Sequence, residues 1–145
     1  MAPMRSIRPA VLADIPRLQQ IRAAVRENVL RNPARVTLAD YEAFIAGKGR
    51  TWVAEVDGHI VGFSSADGND ASIWALFVDP AHAGRGHGQR LLAPAVAWLW
   101  DRGAPQIVLS TEPGTRADRF YRAGGWIETG VTDHGELTFV LPRAP

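Results

Sequence analysis

The sequence predicts an α+β fold in which a mixed sheet of about seven strands is flanked by helices. Two alternating segments flank Asp57-Gly58, which predicts an antiparallel hairpin. Further on, an apolar segment, a glycine-rich loop and an amphipathic helix follow each other directly, and another apolar segment comes next. Because a helical crossover joins parallel strands, the middle of the sheet is expected to resemble an α/β sheet.

Composition limits the classes of function. The 145 residues suffice for one domain, residues 1–145, and 46% of them are hydrophobic. A formal net charge of +1 gives no reason to expect nucleic acid or an anionic membrane as a partner. The lack of cysteine excludes a disulfide scaffold and thiol catalysis. No signal peptide or apolar run of the ~18 residues that a membrane span needs is found, so a cytoplasmic location is expected.

The first part of the chain predicts one strand and two helices. Residues 4–8 alternate in polarity and predict the first strand. Asp14 predicts the start of a helix, either as its N-cap or as an acid of its first turn, and Asn32-Pro33 ends that helix. Thr37 is the predicted N-cap of a second helix over residues 38–46.

Three antiparallel strands and a crossover follow. Residues 51–56 and 59–64 form the hairpin, and residues 72–79 form the central strand. The helix after the glycine loop is predicted over residues 88–102, and a fifth strand, parallel to the central one, over residues 106–111.

The end of the chain predicts a short helix over residues 115–123 and a closing antiparallel pair over residues 126–131 and 136–141. The predicted order of elements is therefore β-α-α-β-β-β-α-β-α-β-β.

The loop before the long helix predicts a phosphate site. Gly84, Gly86 and Gly88 occupy every second position, so a ligand can approach the backbone without meeting Cβ atoms. The N-terminus of a helix offers unpaired N–H groups and a partial positive charge. Gln89-Arg90 follows Gly88, which excludes both the nucleoside-triphosphate loop and the dinucleotide fingerprint.

This loop and the strand before it resemble the acyl-CoA diphosphate loop of the GNAT N-acetyltransferase superfamily. That family shows Leu-x-Val-x-Pro in the strand and (Arg or Gln)-x-x-Gly-x-(Gly or Ala) in the loop. The matching residues here are Leu76, Val78, Pro80, Gly86 and Gly88. Ala83 departs from the pattern, because the family has a long polar side chain at that position.

A second segment strengthens the resemblance. The family often carries Asn-x-x-Ala-x-x-Phe-Tyr-x-x-x-Gly-Phe after the fifth strand. The matching residues are Ala117, Phe120, Tyr121 and Gly125. Trp126 replaces the last Phe, and Gly114 stands in place of the Asn that helps to hold the pantetheine arm in the family. The order of elements is also that of the family, so the resemblance covers nearly the whole chain.

The resemblance implies acetyl-CoA as co-substrate, no metal, and transfer of an acetyl group to a primary amine of a small molecule or peptide in a ternary complex. The central and fifth strands are expected to splay apart at the end where the central strand stops pairing, and the resemblance implies that pantetheine fills this gap. The implied coenzyme-binding residues are Phe77, Val78, Arg85, Gly86, His87, Gly88, Gln89, Arg90 and Thr111. The alternative is a non-catalytic acyl-CoA-binding sensor or interaction module, which the departures at positions 83 and 114 keep open.

Acetyl transfer needs a base, a stabilised oxyanion and an acid for the leaving thiolate. The resemblance implies that Tyr121 is the acid and that the Val78 N–H stabilises the oxyanion. The base stays open among Glu55, Asp70, Glu112 and a water relay. His87 is expected to act through its backbone N–H, and no His/Asp/Glu spacing indicates a metal site.

The acceptor site is expected at residues 27–41 and near Trp52, with Glu27-Asn28 and Arg31 as candidate contacts. Trp74 is a second candidate for the pocket lining, although core packing is the simpler interpretation of both tryptophans.

Trp98 and Trp100 fall on adjacent faces of one predicted helix. At least one of them is therefore expected to meet solvent or a partner, which hints at a homodimer.

Overall fold

The computed structural model describes residues 3–26 and 36–143. It contains a seven-stranded mixed sheet in the order β1-β2-β3-β4-β5-β7-β6. The strands and α-helices are β1 Arg5–Pro9, α1 Ile15–Arg26, α2 Leu38–Ala46, β2 Gly49–Val56, β3 His59–Asp67, β4 Ser72–Val78, α3 His87–Asp101, β5 Gln106–Thr111, α4 Arg116–Ala123, β6 Ile127–Val131 and β7 Leu137–Pro142. The predicted fold class and order of elements are confirmed, whereas the predicted helix end at Asn32-Pro33 lies outside the described residues.

The helix starts follow local hydrogen bonds. Thr37 Oγ1 accepts from the Asp40 N–H at 3.2 Å, and Asp40 Oδ2 accepts from the Thr37 N–H at 2.9 Å, which forms a capping box. At the first helix, Asp14 Oδ2 accepts from the Val11 N–H at 2.9 Å and closes a 3₁₀ turn before α1. The regular part of α1 therefore begins at Ile15, just after the predicted acid.

Local turn chemistry also sets the hairpin. Asp57 and Gly58 have φ values of 51° and 82°, as a type I′ turn requires. In the next pair of strands, Ser65 pairs with Ala75 and Ala66 pairs with Ile73, which leaves Trp74 as the extra residue of a β-bulge in β4.

The central strand and the fifth strand are joined at one end only. Ser72 and Val108 are the single parallel register pair between β4 and β5 in the described part of the chain. Next to that pair, the Val108 N–H donates to the Ala71 carbonyl at 3.0 Å. Beyond it the two strands do not pair, so the expected splay is confirmed.

Among the described residues, buried hydrophobic clusters cover both faces of the sheet. One lies under α3 and α4 and includes Leu99, Ile107, Leu109, Tyr121 and Phe139. Another lies under α1 and α2 and includes Leu18, Ile21, Tyr41, Phe63 and Ala75. Any cavity that passes between β4 and β5 therefore connects the helix layers of both faces.

The tryptophans of α3 are half-buried. Trp98 packs edge-on against Trp52 with ring centroids 6.3 Å apart, and Arg102 covers it at 4.7 Å. Arg143 lies 5.3 Å from the Trp100 ring. Because arginines of this same chain cover both rings, these contacts add no support for the homodimer, which stays a prediction.

Among the described residues, no helix combines the length and the apolar character that crossing a bilayer requires. The cytoplasmic location stays a prediction.

Candidate active site

The end of β4 is fixed by Asp79. Its Oδ1 accepts from the Ala81 N–H at 3.0 Å, and its Oδ2 pairs with Arg17 Nη2 at 2.9 Å. The hydrogen bond from Ala81 and the bond and charge of Arg17 lower the pKa of this carboxyl. Asp79 therefore ties the start of the glycine loop to α1.

The loop presents unpaired backbone donors. Gly84 and Gly86 have φ values of 78° and 84°, a conformation that glycine adopts without strain. The first bond of α3 runs from the Arg90 N–H to the Gly86 carbonyl at 3.2 Å. The N–H groups of residues 87–89 precede it, and none donates to a described backbone carbonyl. This arrangement fits a diphosphate.

A cavity of about 450 Å³ lies against this loop. Six of the predicted coenzyme-binding residues line it: Phe77, Val78, Gly86, His87, Gly88 and Gln89. Arg85 and Arg90 are not part of this lining, and the Arg85 carbonyl accepts from Arg5 Nη1 at 3.2 Å. The structure thus brings the loop backbone, but not these two predicted arginine side chains, to the cavity wall.

The side chain of His87 is buried beside the loop and lines the cavity. Its ring is 2% exposed, and both ring nitrogens lack a hydrogen-bond partner among the described residues, as do His82 Nδ1 and Arg90 Nη1. Burial lowers the pKa of His87, and the charges of Arg5 and Arg90 lower it further. Unpaired polar atoms are costly when buried, so this cluster also fits an anion beside the loop.

Arg116 is a binding candidate that the sequence analysis missed. It lines the cavity at the loop, and a methyl group at position 84 would stand 3.0 Å from its Nη2 atom. Two sequence signals could have identified it. Arg116 directly precedes Ala117 in the second motif, and Ala83 stands in the loop where the family has a long polar side chain.

A second cavity, of about 530 Å³, occupies the splay between β4 and β5. On one side Arg22 and Val25 of α1 line it, and on the other side Ala117 and Tyr121 of α4 do. Because these helices lie on opposite faces, the cavity passes through the sheet. The predicted contact residue Thr111 also lines it.

The backbone at the end of β4 points into this gap. The Asp79 N–H donates to the Val61 carbonyl of β3 at 2.8 Å. Successive N–H groups of an extended strand point to opposite edges, so the Val78 N–H faces the side of β5. This is the geometry that an oxyanion donor needs.

Tyr121 is 6% exposed and lines the cavity through the sheet. Its ring packs against Trp126 and Phe139, with centroids 5.7 and 6.2 Å away. Burial raises the pKa of Tyr121 well above its ordinary value. The hydroxyl is protonated near neutral pH, as that of an ordinary tyrosine is, and this is the state from which a general acid donates.

Of the three predicted bases, only Glu112 lines the cavity through the sheet. Glu55 lines neither this cavity nor the one at the loop and accepts from Arg8 Nε at 3.0 Å. Asp70 is exposed in the turn before β4 and accepts from Ser72 Oγ at 2.5 Å. Glu136, which the sequence analysis did not single out, lines the same cavity as Glu112.

The predicted acceptor region is described only in part. Glu27-Asn28 and Arg31 lie outside the described residues. Trp74 lines the cavity and stacks on Phe44 with centroids 3.9 Å apart, whereas Trp52 packs against α3 instead. In the ranges that the structure describes, no group of three or more His, Cys, Asp or Glu residues could hold a metal ion.

Comparisons with known proteins point to one family. The sequence model of the acetyltransferase (GNAT) family matches residues 15–125. The chain is 31% identical over 70 residues to an uncharacterized N-acetyltransferase, ycf52-like, of Prochlorococcus marinus, a match that covers 46% of this chain and 38% of that protein. It is 35% identical over 80 residues to a mycothiol acetyltransferase of Clavibacter sepedonicus, covering 53% of this chain and 26% of that protein. This chain thus spans about two fifths and one quarter of the length of these curated relatives.

A solved structure shows the same fold. It is that of yncA from Salmonella typhimurium with its cofactor acetyl-CoA, which aligns with a TM-score of 0.77 over 95% of this chain and 93% of that chain. The sequence identity is 24%.

Proposed function

Because the chain belongs to the acetyltransferase (GNAT) family, we propose that it is an acetyl-CoA-dependent N-acetyltransferase. It moves an acetyl group to a primary amine of a small molecule or peptide, by direct attack in a ternary complex. When bound, acetyl-CoA supplies the activated acetyl group as a thioester.

The observation that carries this proposal is the cavity through the sheet. One face is open to α4 and the glycine loop, and the other face is open to α1. A coenzyme on the first face and an amine on the second can therefore be bound at the same time and meet between β4 and β5. This arrangement favours direct transfer in a ternary complex.

Each part of the coenzyme has residues that fit it. The loop amides of residues 87–89 and the Arg116 guanidinium suit the diphosphate, since charge-assisted hydrogen bonds to anions are among the strongest. The unpaired edge of β4 suits the amides of the pantetheine arm, which can pair with it as a strand does.

The reacting end has a donor and an acid. The Val78 N–H faces the gap and can stabilise the negative charge that develops on the carbonyl oxygen. Tyr121 is protonated near neutral pH and can give its proton to the departing thiolate. Val78 thus acts at the carbonyl oxygen of the thioester and Tyr121 at its sulfur, the two atoms on which negative charge develops.

Measurement of free-thiol release from acetyl-CoA with a panel of primary amines, beside calorimetric titration with acetyl-CoA, tests the proposal. Release that depends on an added amine supports an enzyme. Tight binding of acetyl-CoA with no release across the panel favours the alternative, a non-catalytic acyl-CoA-binding sensor or interaction module. Failure to bind acetyl-CoA overturns both readings.

A further inference from the structure

Glu112 and Glu136 lie on the same face of the sheet. In β5, Ile107 and Leu109 point into the core under α3 and α4, so by strand alternation position 112 points to the opposite face. In β7, Phe139 belongs to that same core, so position 136 also points away from it. This opposite face is the side of α1, from which the acceptor is expected.

The strand register brings the two residues together. Thr111 of β5 pairs with Leu137 of β7 as the last pair of an antiparallel ladder, and Glu112 and Glu136 come directly after this pair. Residues opposite each other on one face have Cβ atoms about 4.5–5.5 Å apart. The register therefore brings the two side chains close to each other, and both line the cavity through the sheet.

Neither carboxylate has a described hydrogen bond or ion pair, and both residues are half-buried. Like charges directly opposite each other in a sheet destabilise it. The arginines of this cavity lie against other walls: Arg22 over the Phe77 ring at 5.3 Å, and Arg116 beside Gly84. The pair is thus an uncompensated negative site that a cation would relieve.

A second observation points to a ligand in the same cavity. The Tyr121 hydroxyl belongs to a side chain that is 6% exposed, it makes no described hydrogen bond, and it lines this same cavity. The wall between the carboxylates and α1 is apolar and aromatic, with Val25, Val36 and Trp74.

We propose that Glu112 and Glu136 together hold the ammonium group of the acceptor and take its proton, and that the acceptor is a cationic primary amine on an apolar or aromatic body. This inference rests on the proposed function, since it assigns the acceptor side of the same cavity.

The proton and electron balance is simple. One proton of the ammonium group passes to a carboxylate of the pair and on to solvent, which frees the nitrogen lone pair. That lone pair forms the C–N bond with the acetyl carbon while the C–S bond breaks, and the thiolate takes the proton of Tyr121. The second proton leaves the nitrogen through the same carboxylate, and Tyr121 is reprotonated from solvent.

Steady-state kinetics of E112Q, E136Q and the wild type test this assignment with two acceptors: the fastest alkylamine of the panel, which is charged near neutral pH, and an arylamine, which is neutral there. Each variant is expected to raise KM for the alkylamine by about 10–100-fold, the loss of a hydrogen bond between charged groups. KM for the arylamine and the calorimetric Kd for acetyl-CoA stay unchanged. Glu42, exposed on α2 and outside both cavities, supplies the matched control E42Q.

Thermal unfolding gives a readout without acceptor. Loss of the repulsion between the two carboxylates is expected to raise Tm in E112Q and E136Q by about 1–3 °C. The control E42Q is expected to leave Tm unchanged. Unchanged alkylamine kinetics in both variants, or an equal rise of KM for both amines, overturns the assignment while the wild type stays active. A wild type that is inactive on every amine overturns the proposed function, and the acceptor site with it.

Discussion

The guanidinium of Arg116 lies beside Gly84, so close that a methyl group at position 84 would stand 3.0 Å from Nη2. Arg116 begins α4, whereas Gly84 belongs to the loop before α3. The loop itself has Ala83 where the family has a long polar side chain. An arginine from another element thus lies beside the loop, where we propose that it takes the place of the missing long polar side chain at position 83.

Replacement of Arg116 by Ala is expected to weaken acetyl-CoA binding by about 10–100-fold, because one charge-assisted hydrogen bond to a phosphate is lost. Calorimetry measures this loss. Tm is expected to stay unchanged, since the side chain is exposed. Arg50→Ala, at an exposed position of β2 outside both cavities, is the charge-matched control. Equal Kd values for the two variants would exclude Arg116 from the site.

Gly88 allows a test of the loop that separates stability from binding. It is the second residue of α3, and a methyl group there would meet Phe120 Cζ at 3.8 Å, an ordinary contact. Gly88→Ala is therefore expected to raise the free energy of unfolding by up to ~1 kcal/mol, through helix propensity. Because the family pattern accepts Ala at this position and the added methyl group makes only an ordinary contact, acetyl-CoA affinity is expected to stay close to that of the wild type.

Chemical denaturation and calorimetry on one preparation measure both quantities. Gly130→Ala in β6, outside both cavities, serves as control. A large loss of acetyl-CoA affinity in Gly88→Ala would contradict the match of position 88 to the family pattern, which allows Gly or Ala there.

Local sequence signals predicted most of the elements. The Thr37 cap and the Asp57-Gly58 turn act through neighbouring residues, so their effect is visible without the fold. The splay between β4 and β5 was predicted from one continuous segment, which contains these two strands and the helical crossover that joins them. Within the described residues, the bounds of the strands agree with the prediction to within a few residues.

The missed residues depend on contacts between distant segments. Glu136 reaches Glu112 only because β7 inserts between β5 and β6, and the sequence does not specify which strand occupies that place or in which register. Arg116 reaches Gly84 only because α4 packs beside the loop. The sequence predicted a role for the backbone N–H of His87 in the glycine loop. The burial of its ring could not be predicted, because it depends on the packing under α3.

Replacement of Tyr121 by Phe is expected to lower kcat by about 10²-fold, the low end of a general-acid contribution. The ring contacts with Trp126 and Phe139 are kept, so Tm is expected to change little. Tyr41, the other tyrosine of the chain, is a buried residue of α2 outside both cavities, and Tyr41→Phe is the matched control. Similar kcat values for both variants would remove Tyr121 from the chemistry.

The burial of His87 predicts a pH dependence of stability. Its pKa in the folded protein lies below the ordinary value of 6.5, because burial and nearby cations disfavour the charged ring. As the pH falls through 6.5, the unfolded chain takes up a proton that the folded protein does not. The free energy of unfolding therefore decreases from that pH down to the folded pKa.

Replacement of His87 by Gln is expected to flatten this part of the profile, so that Tm falls less between about pH 7.5 and pH 5.5 than in the wild type. The carboxyls of Asp79 and Asp118, whose pKa values are lowered, lose their contribution only below about pH 4, which is a separate window. His59→Gln, at an exposed position of the hairpin, is expected to keep the wild-type slope. Differential scanning fluorimetry across the range measures all three proteins. Parallel profiles of the wild type and His87→Gln would mean that the pKa of His87 is not lowered in the folded protein. The anion site beside the loop would then lose one of its supports.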